Sequence, residues 1–172
     1  MISEYVEGKV IVFVDAANLE SSLKDLGWHM DYKRFYNYFK NNIELAGIRF
    51  YSASFGNKSH NNFFTVLKRI GFQLVTKKLK IIFDGEKSIN KANFDVEITL
   101  DARNIIDKYD TLVLFSGDSD FEYLVKFLRM RNKKIVVVSS RYHIAKELIK
   151  CCNKYIDLNK LKTIFQRINY IK

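Results

Sequence analysis

No proline occurs anywhere in the 172 residues. A usual marker of helix and strand ends is therefore missing, and boundaries must be read from glycine, asparagine and aspartate instead. Cysteine is almost as scarce. Cys151 and Cys152 are the only two, and neighbouring residues rarely reach the geometry an ordinary disulfide needs. With no framework of spaced pairs, a reducing, cytoplasmic setting is the simpler expectation. Two cysteines and three scattered histidines (His29, His60, His143) cannot build a typical structural zinc site. No stretch approaches the ~20 apolar residues of a membrane helix. Residues 1–8 carry two glutamates and no apolar run of signal-peptide length. No internal repeat and no Gly/Ser linker divides the chain.

Hydrophobic residues make up 48% and aromatics 15%, enough to bury a core and to exclude wholesale disorder. Lys plus Arg is 29 against 19 Asp plus Glu, a net charge of +10. That balance favours polyanionic partners, because cations on phosphates release counterions. A solvated basic surface would leave the same composition.

Val10–Val14 is a continuous apolar run ending at Asp15, which reads as a strand buried on both faces. Thr111–Phe115 and Lys134–Val138 read the same way. Shorter strands are expected at 48–53 (started by Gly47), 72–75, 78–83 (turning at Asp84-Gly85) and 155–158. Helical spacing marks 31–41 (capped by Asp31), 62–70 (stopped by Gly71), 93–107, 119–130, 144–151 and a C-terminal helix containing Leu161, Ile164 and Phe165. Along 62–70 the inward side is read as Phe63, Val66, Leu67 and Ile70. Strands alternating with helices imply a three-layer α/β/α sandwich with a mainly parallel, Rossmann-like sheet.

Sites in such sheets form outside the carboxyl ends of the strands. Asp15 ends the first strand. Asp118 and Asp120 follow the 111–115 strand in Ser116-Gly117-Asp118-Ser119-Asp120-Phe121. If the two strands are neighbours, the carboxylates share a pocket, and such a group needs a cation or a proton. Mg²⁺ and Mn²⁺ prefer oxygen ligands of this kind. Gly117 would let the backbone turn sharply, and Ser116 adds a hydroxyl. A purely structural account also exists. Ser119-x-x-Glu122 fits a capping box, Asp120 suits a helix dipole, and Asn18 could cap the helix after the first strand. Asp95, in Lys91-Ala92-Asn93-Phe94-Asp95, lies in a first helical turn, where the dipole alone would account for it. Asp101 is six residues on and turned about 240° away, so it does not share a metal directly with Asp95.

These motifs resemble the NYN domain proteins, the LabA-like group of the PIN-like nuclease superfamily, over roughly residues 9–158. The marks are the strand ending in Asp15 with Asn18 three later, the Lys91-x-x-x-Asp95 segment with Asp101-Ala102, and the Ser116–Phe121 motif. Asn93 departs from the pattern, which more often has a small residue there. The resemblance implies a PIN-like fold and Mg²⁺- or Mn²⁺-dependent cleavage of RNA. It puts Asp15, Asp95, Asp118 and Asp120 at the acidic catalytic and metal positions, with Asn18, Lys91, Asp101 and Ser116 in support. Asp15 and Asp118 are the first choice as direct ligands, and Lys91 would neutralise charge on the phosphate. The whole chain, 1–172, reads as one domain with 159–172 as a helical appendage. The apolar residues of the last helix suit a homodimer contact or, more simply, core packing.

RNA, with DNA left open, would be guided by Lys58, Lys77, Lys78, Arg129 and Arg131, together with His60, Lys80, Lys133 and Lys134. Tyr51, Phe55 and Tyr123 are candidates for base stacking. Three rival readings fit parts of these motifs. A haloacid-dehalogenase-type phosphatase needs a second acid two residues after its nucleophile, where this chain has Ala17. A Toprim-type site needs a glutamate where this chain has Asp15. A non-catalytic RNA-binding or regulatory module would keep the charge without the chemistry.

Overall fold

The apolar run Lys9–Asp15 forms strand β1, the centre of the molecule, and its side chains alternate between two cores. Val10, Val12 and Val14 enter one, while Ile11 and Phe13 enter the other. A strand covered on both faces has no polar side, which is why the run does not alternate in polarity. The computed structural model describes residues 1–78, 80–84, 87–91 and 93–168, with only the backbone described between 80 and 91.

From β1 the chain passes through α1 (Ala16–Leu26) and α2 (Tyr32–Asn42) to β2 (Glu44–Ser54), then α3 (Lys58–Ile70) and β3 (Gln73–Lys78). A separate antiparallel hairpin, β4 (Lys80–Asp84) and β5 (Lys87–Lys91), precedes α4 (Asp95–Asn104). The chain then re-enters the sheet as β6 (Thr111–Phe115), α5 (Glu122–Met130), β7 (Lys134–Ser139), α6 (Lys146–Cys151), β8 (Lys154–Asp157) and α7 (Lys162–Phe165). Six strands, all parallel, lie in the order β3-β2-β1-β6-β7-β8. The core on one face takes side chains from α1, α2, α3 and α7, and the core on the other from α4, α5 and α6. The expected three-layer α/β/α sandwich is thus what the chain forms.

Several boundaries differ from the sequence reading. β2 begins at Glu44, and Gly47 sits in its interior where the pairing with β1 skips a residue. α3 begins four residues early because Asn57, not read as a cap, accepts the His60 N–H at 2.8 Å. Leu67 and Phe64 are buried, Phe63 and Ile70 pack partly buried against the same core, and Val66 is exposed. The expected strand over 78–83 is divided between the end of β3 and β4, and Gly85 lies outside the described residues.

The segment read as an appendage packs into the first core. Leu161 and Phe165 are buried, and Phe165 lies against Phe35, Tyr38 and Phe39. The Arg34 guanidinium donates to the carbonyls of Gln166 and Thr163 at 2.8 and 3.0 Å. The apolar side chains considered for a dimer contact are therefore taken up by the fold of the chain itself.

Candidate metal centre

Between β1 and β6 the direction of chain progression reverses, since β1 is followed by β2 on one side and flanked by β6 on the other. That switch point is where open α/β sheets leave a crevice beyond the strand ends. Asp15 closes β1 there and caps α1, so the cap of that helix is Asp15 and not Asn18. The Asp15 carboxylate accepts the Asn18 N–H at 3.4 Å and the Ser116 hydroxyl at 3.1 Å. Asn18 instead reaches across to the β6 loop, where its Oδ1 accepts the Gly117 N–H at 3.0 Å. Ser116 Oγ in turn accepts the Asp118 N–H at 3.3 Å.

Asp118 then caps a single 3₁₀ turn, Ser119–Phe121, its carboxylate accepting the Asp120 N–H at 3.0 Å. The expected capping box does not form, because this turn separates Ser119 from the start of α5, and Glu122 pairs with Lys126 at 2.6 Å. Gly117 is needed for a different reason from the one expected. A Cβ there would stand 2.1 Å from the His143 carbonyl oxygen and 2.6 Å from Ser139 Oγ, so the residue admits a neighbouring loop.

Asp95 arrives from the opposite side as the first residue of α4. Its N–H donates to Asn93 Oδ1 at 2.8 Å, and the Asn93 amide donates back to its carboxylate. The residue that departs from the family pattern is thus the one that orients Asp95. Two ion pairs fasten α4 to the sheet: Arg49 with Asp101 at 2.8 Å, and Lys77 with Glu97 at 2.8 Å. Asp101 also accepts the Tyr51 hydroxyl at 2.9 Å, which places it outside the acid cluster, as the helical spacing required. Carboxylate oxygens of Asp95, Asp118 and Asp120 all lie within 4.8 Å of one another. Asp15 sits behind them, 8% exposed.

Burial raises the Asp95 carboxyl above its ordinary value of 3.8; Asn93 and Lys77 oppose this, and the charges of Asp118 and Asp120 add to it. Asp15 is raised chiefly by burial too, against hydrogen bonds from Asn18 and Ser116 and with help from Asp95 and Asp118. Both groups hold their protons more tightly folded than unfolded. By linkage the metal-free protein should gain stability as pH falls toward 3.8 from the raised folded values, and lose it as pH climbs back through them. Urea midpoints in EDTA across that window check this. Asp15→Asn, which keeps an acceptor for Ser116, should flatten the slope.

The basic residues separate into groups. Lys58 and Lys78 are exposed at the start of α3 and the end of β3, at the same sheet edge as the acids. Lys77 is not free there: it pairs with Glu97 and lies 4.6 Å over the Phe94 ring. Arg129 and Arg131 are at the opposite edge. All six strands are parallel, so residues just before β7 lie a strand length, roughly 15–20 Å, from the carboxylates. Arg129 donates to the Cys151 carbonyl at 2.7 Å, and Arg131 stacks 4.8 Å over Phe127. Lys133 and Lys134 are engaged at that edge as well, with Tyr109 and Glu7. Tyr51 is wholly buried, which removes it as a stacking residue, while Phe55 and Tyr123 are exposed. The side chains of Lys80 and Lys91 lie outside the described residues. Burial pushes the Cys151 and Cys152 thiols up, away from nucleophilic use. No helix among the described residues is long and apolar enough to cross a membrane.

The fold and site together are those of a three-layer α/β/α domain with an acidic crevice at the switch point of its parallel sheet. Residues 9–159 match the NYN domain family, and the chain belongs to it. A curated relative, Low amplitude and bright protein LabA of Synechococcus elongatus, is 35% identical over 164 residues, which cover 92% of this chain and 88% of that one. A crystal structure of a protein of unknown function from Vibrio parahaemolyticus superposes with a TM-score of 0.75 at 28% identity, covering 87% of this chain and 92% of that one.

Proposed function

We propose that this domain is a divalent-metal-dependent ribonuclease, and the observation that carries the proposal is the convergence of Asp95, Asp118 and Asp120 within 4.8 Å. Three carboxylates so close cost free energy unless a cation or protons neutralise them. Among the described residues Lys77 is the cation that opposes the rise at Asp95, and it is already paired with Glu97. The donors are all hard oxygens, which suits Mg²⁺ or Mn²⁺ over softer ions. Such an ion, when bound, lowers the pKa of a water and neutralises charge on a phosphodiester.

In this reading Asp95, Asp118 and Asp120 are the ligands. Asn93 fixes the Asp95 rotamer. Asp15, named from the sequence as a first-choice ligand, acts from the layer beneath. Through Ser116 it holds the Asp118 backbone, and its own charge adds to the field of the crevice. Asn18 fixes Gly117 and so the start of the acidic loop. Exposed Lys58 and Lys78, with the net charge of +10, supply attraction for the RNA backbone.

Incubation of the purified protein with single-stranded and structured RNA tests this. Cleavage in Mn²⁺ that stops in EDTA is the expected result. Binding without cleavage under every metal condition would favour the non-catalytic RNA-binding module instead.

A further inference from the structure

A groove of about 1140 Å³ runs along the outer side of the first helical layer, between α1 and α3. Its size exceeds the ~300–1,000 Å³ common for small-molecule pockets, which suits an extended segment better than one compact ligand. The walls come from helices that begin at the metal centre's edge of the sheet. α1 starts just after its cap Asp15 and presents Glu20, Leu23 and Lys24 to the groove; α3 starts beyond β2 and presents His60, Phe63 and Val66. Phe55, 57% exposed, stands edge-on to His60 with ring centroids 4.7 Å apart, at the end of the groove nearest the sheet edge.

The lining combines flat rings with cations. Partly buried Phe63 and His60 line it beside Tyr32, whose ring packs edge-on against Phe50, Phe63 and Phe72, and exposed Lys24, Lys33 and Arg167 stand around them. Two buried nitrogens of the lining, Trp28 Nε1 and His60 Nδ1, have no hydrogen-bond partner among the described residues. Of the two acids, Asp31 is committed to capping α2, accepting the N–H groups of Lys33 and Arg34 at 2.9 and 3.0 Å. Glu20, exposed on the α1 wall, has its carboxyl raised by desolvation.

We infer that this groove is a single-strand RNA subsite, in which unstacked bases lie against Phe63 and His60 while Lys24, Lys33 and Arg167 meet the flanking phosphates. Aromatic faces beside cations are the arrangement that holds single strands without sequence reading. The inference rests on RNA being the substrate of the proposed ribonuclease, and it adds where the strand runs: from the carboxylates, past Phe55, and along α1 and α3.

Trp28, the only tryptophan, lines the groove and reports on it directly. In EDTA, so that nothing is cleaved, an RNA oligomer of about eight nucleotides should change Trp28 emission to saturation. Val66→Glu and Lys24→Glu place negative charge at exposed positions, and each should weaken that binding by about tenfold. Unchanged thermal melting and unchanged Mn²⁺ affinity would show that fold and metal centre are intact. RNA binding by anisotropy with silent Trp28 emission and unaffected variants would overturn the subsite. So would mononucleotides that alter the emission as tightly as the oligomer, since that describes a small-ligand pocket. Groove binding without Mn²⁺-dependent cleavage would sink the nuclease reading alone; cleavage with a silent groove would sink the subsite alone.

Discussion

Asp118→Asn is expected to lower metal-dependent RNA cleavage by more than ~10²-fold, since changes merely behind a metal ligand already cost 10–100-fold. Folding stability should not fall with it. Asparagine caps a helical turn about as well as aspartate, so the bond from the Asp120 N–H survives. One charge also leaves a group of three that repel one another. The variant should therefore melt at or slightly above the wild-type temperature in EDTA. A matched loss of activity and stability would mean that Asp118 is a structural cap and the crevice has no chemistry. Activity is read from initial cleavage rates in Mn²⁺, stability from thermal melts in EDTA.

Gly117→Ala should be the more damaging change to the fold. The added methyl meets a backbone carbonyl, that of His143, at 2.1 Å, and a backbone atom cannot rotate away as a side chain can. The neighbouring loop is tied down on either side of the contact. Ala145 N–H donates to the Gly117 carbonyl at 2.9 Å, and the His143 ring pairs with Asp25 at 2.7 Å. Overpacking typically costs ~1–3 kcal/mol, and a clash with a backbone atom belongs at the upper end of that range. Gly117 is also held by Asn18, so any displacement carries Asp118 with it. Urea denaturation should show a lowered midpoint, and whatever protein folds should cleave poorly. A stability within ~0.5 kcal/mol of wild type, the range of ordinary surface substitutions, would show that the loop yields freely.

Much of this architecture is legible in the sequence because its causes are local. The unalternating apolar strands announce burial on both faces, and the acids at the ends of β1 and β6 announce a crevice once the sheet is parallel. What was not legible depends on partners far along the chain. The capping role of Asp118 looked like a capping box at Ser119, because spacing does not distinguish a 3₁₀ turn from a helix start. For Arg129 and Arg131 the charge is visible in sequence, while the sheet edge they occupy, opposite the acids, is not. Lys77 looked free; its partners, Glu97 and Phe94, lie about twenty residues on. Asn93 was visible only as a departure from a family pattern, yet an asparagine two residues before an aspartate at a helix start is itself a local signal. The ranking of the acids changed most. Asp95, which rested on resemblance, stands with Asp118 and Asp120, and Asp15 lies one layer deeper.

The claim on which the account turns is that Asp95, Asp118 and Asp120 together hold one divalent cation site. Titration of Mn²⁺ into metal-free protein, followed by the loss of the free-ion electron paramagnetic resonance signal, tests it directly. Saturable binding that is severely weakened in each of Asp95→Asn, Asp118→Asn and Asp120→Asn is the predicted result. Binding that is absent from the wild type, or that survives undiminished in all three variants, would contradict it.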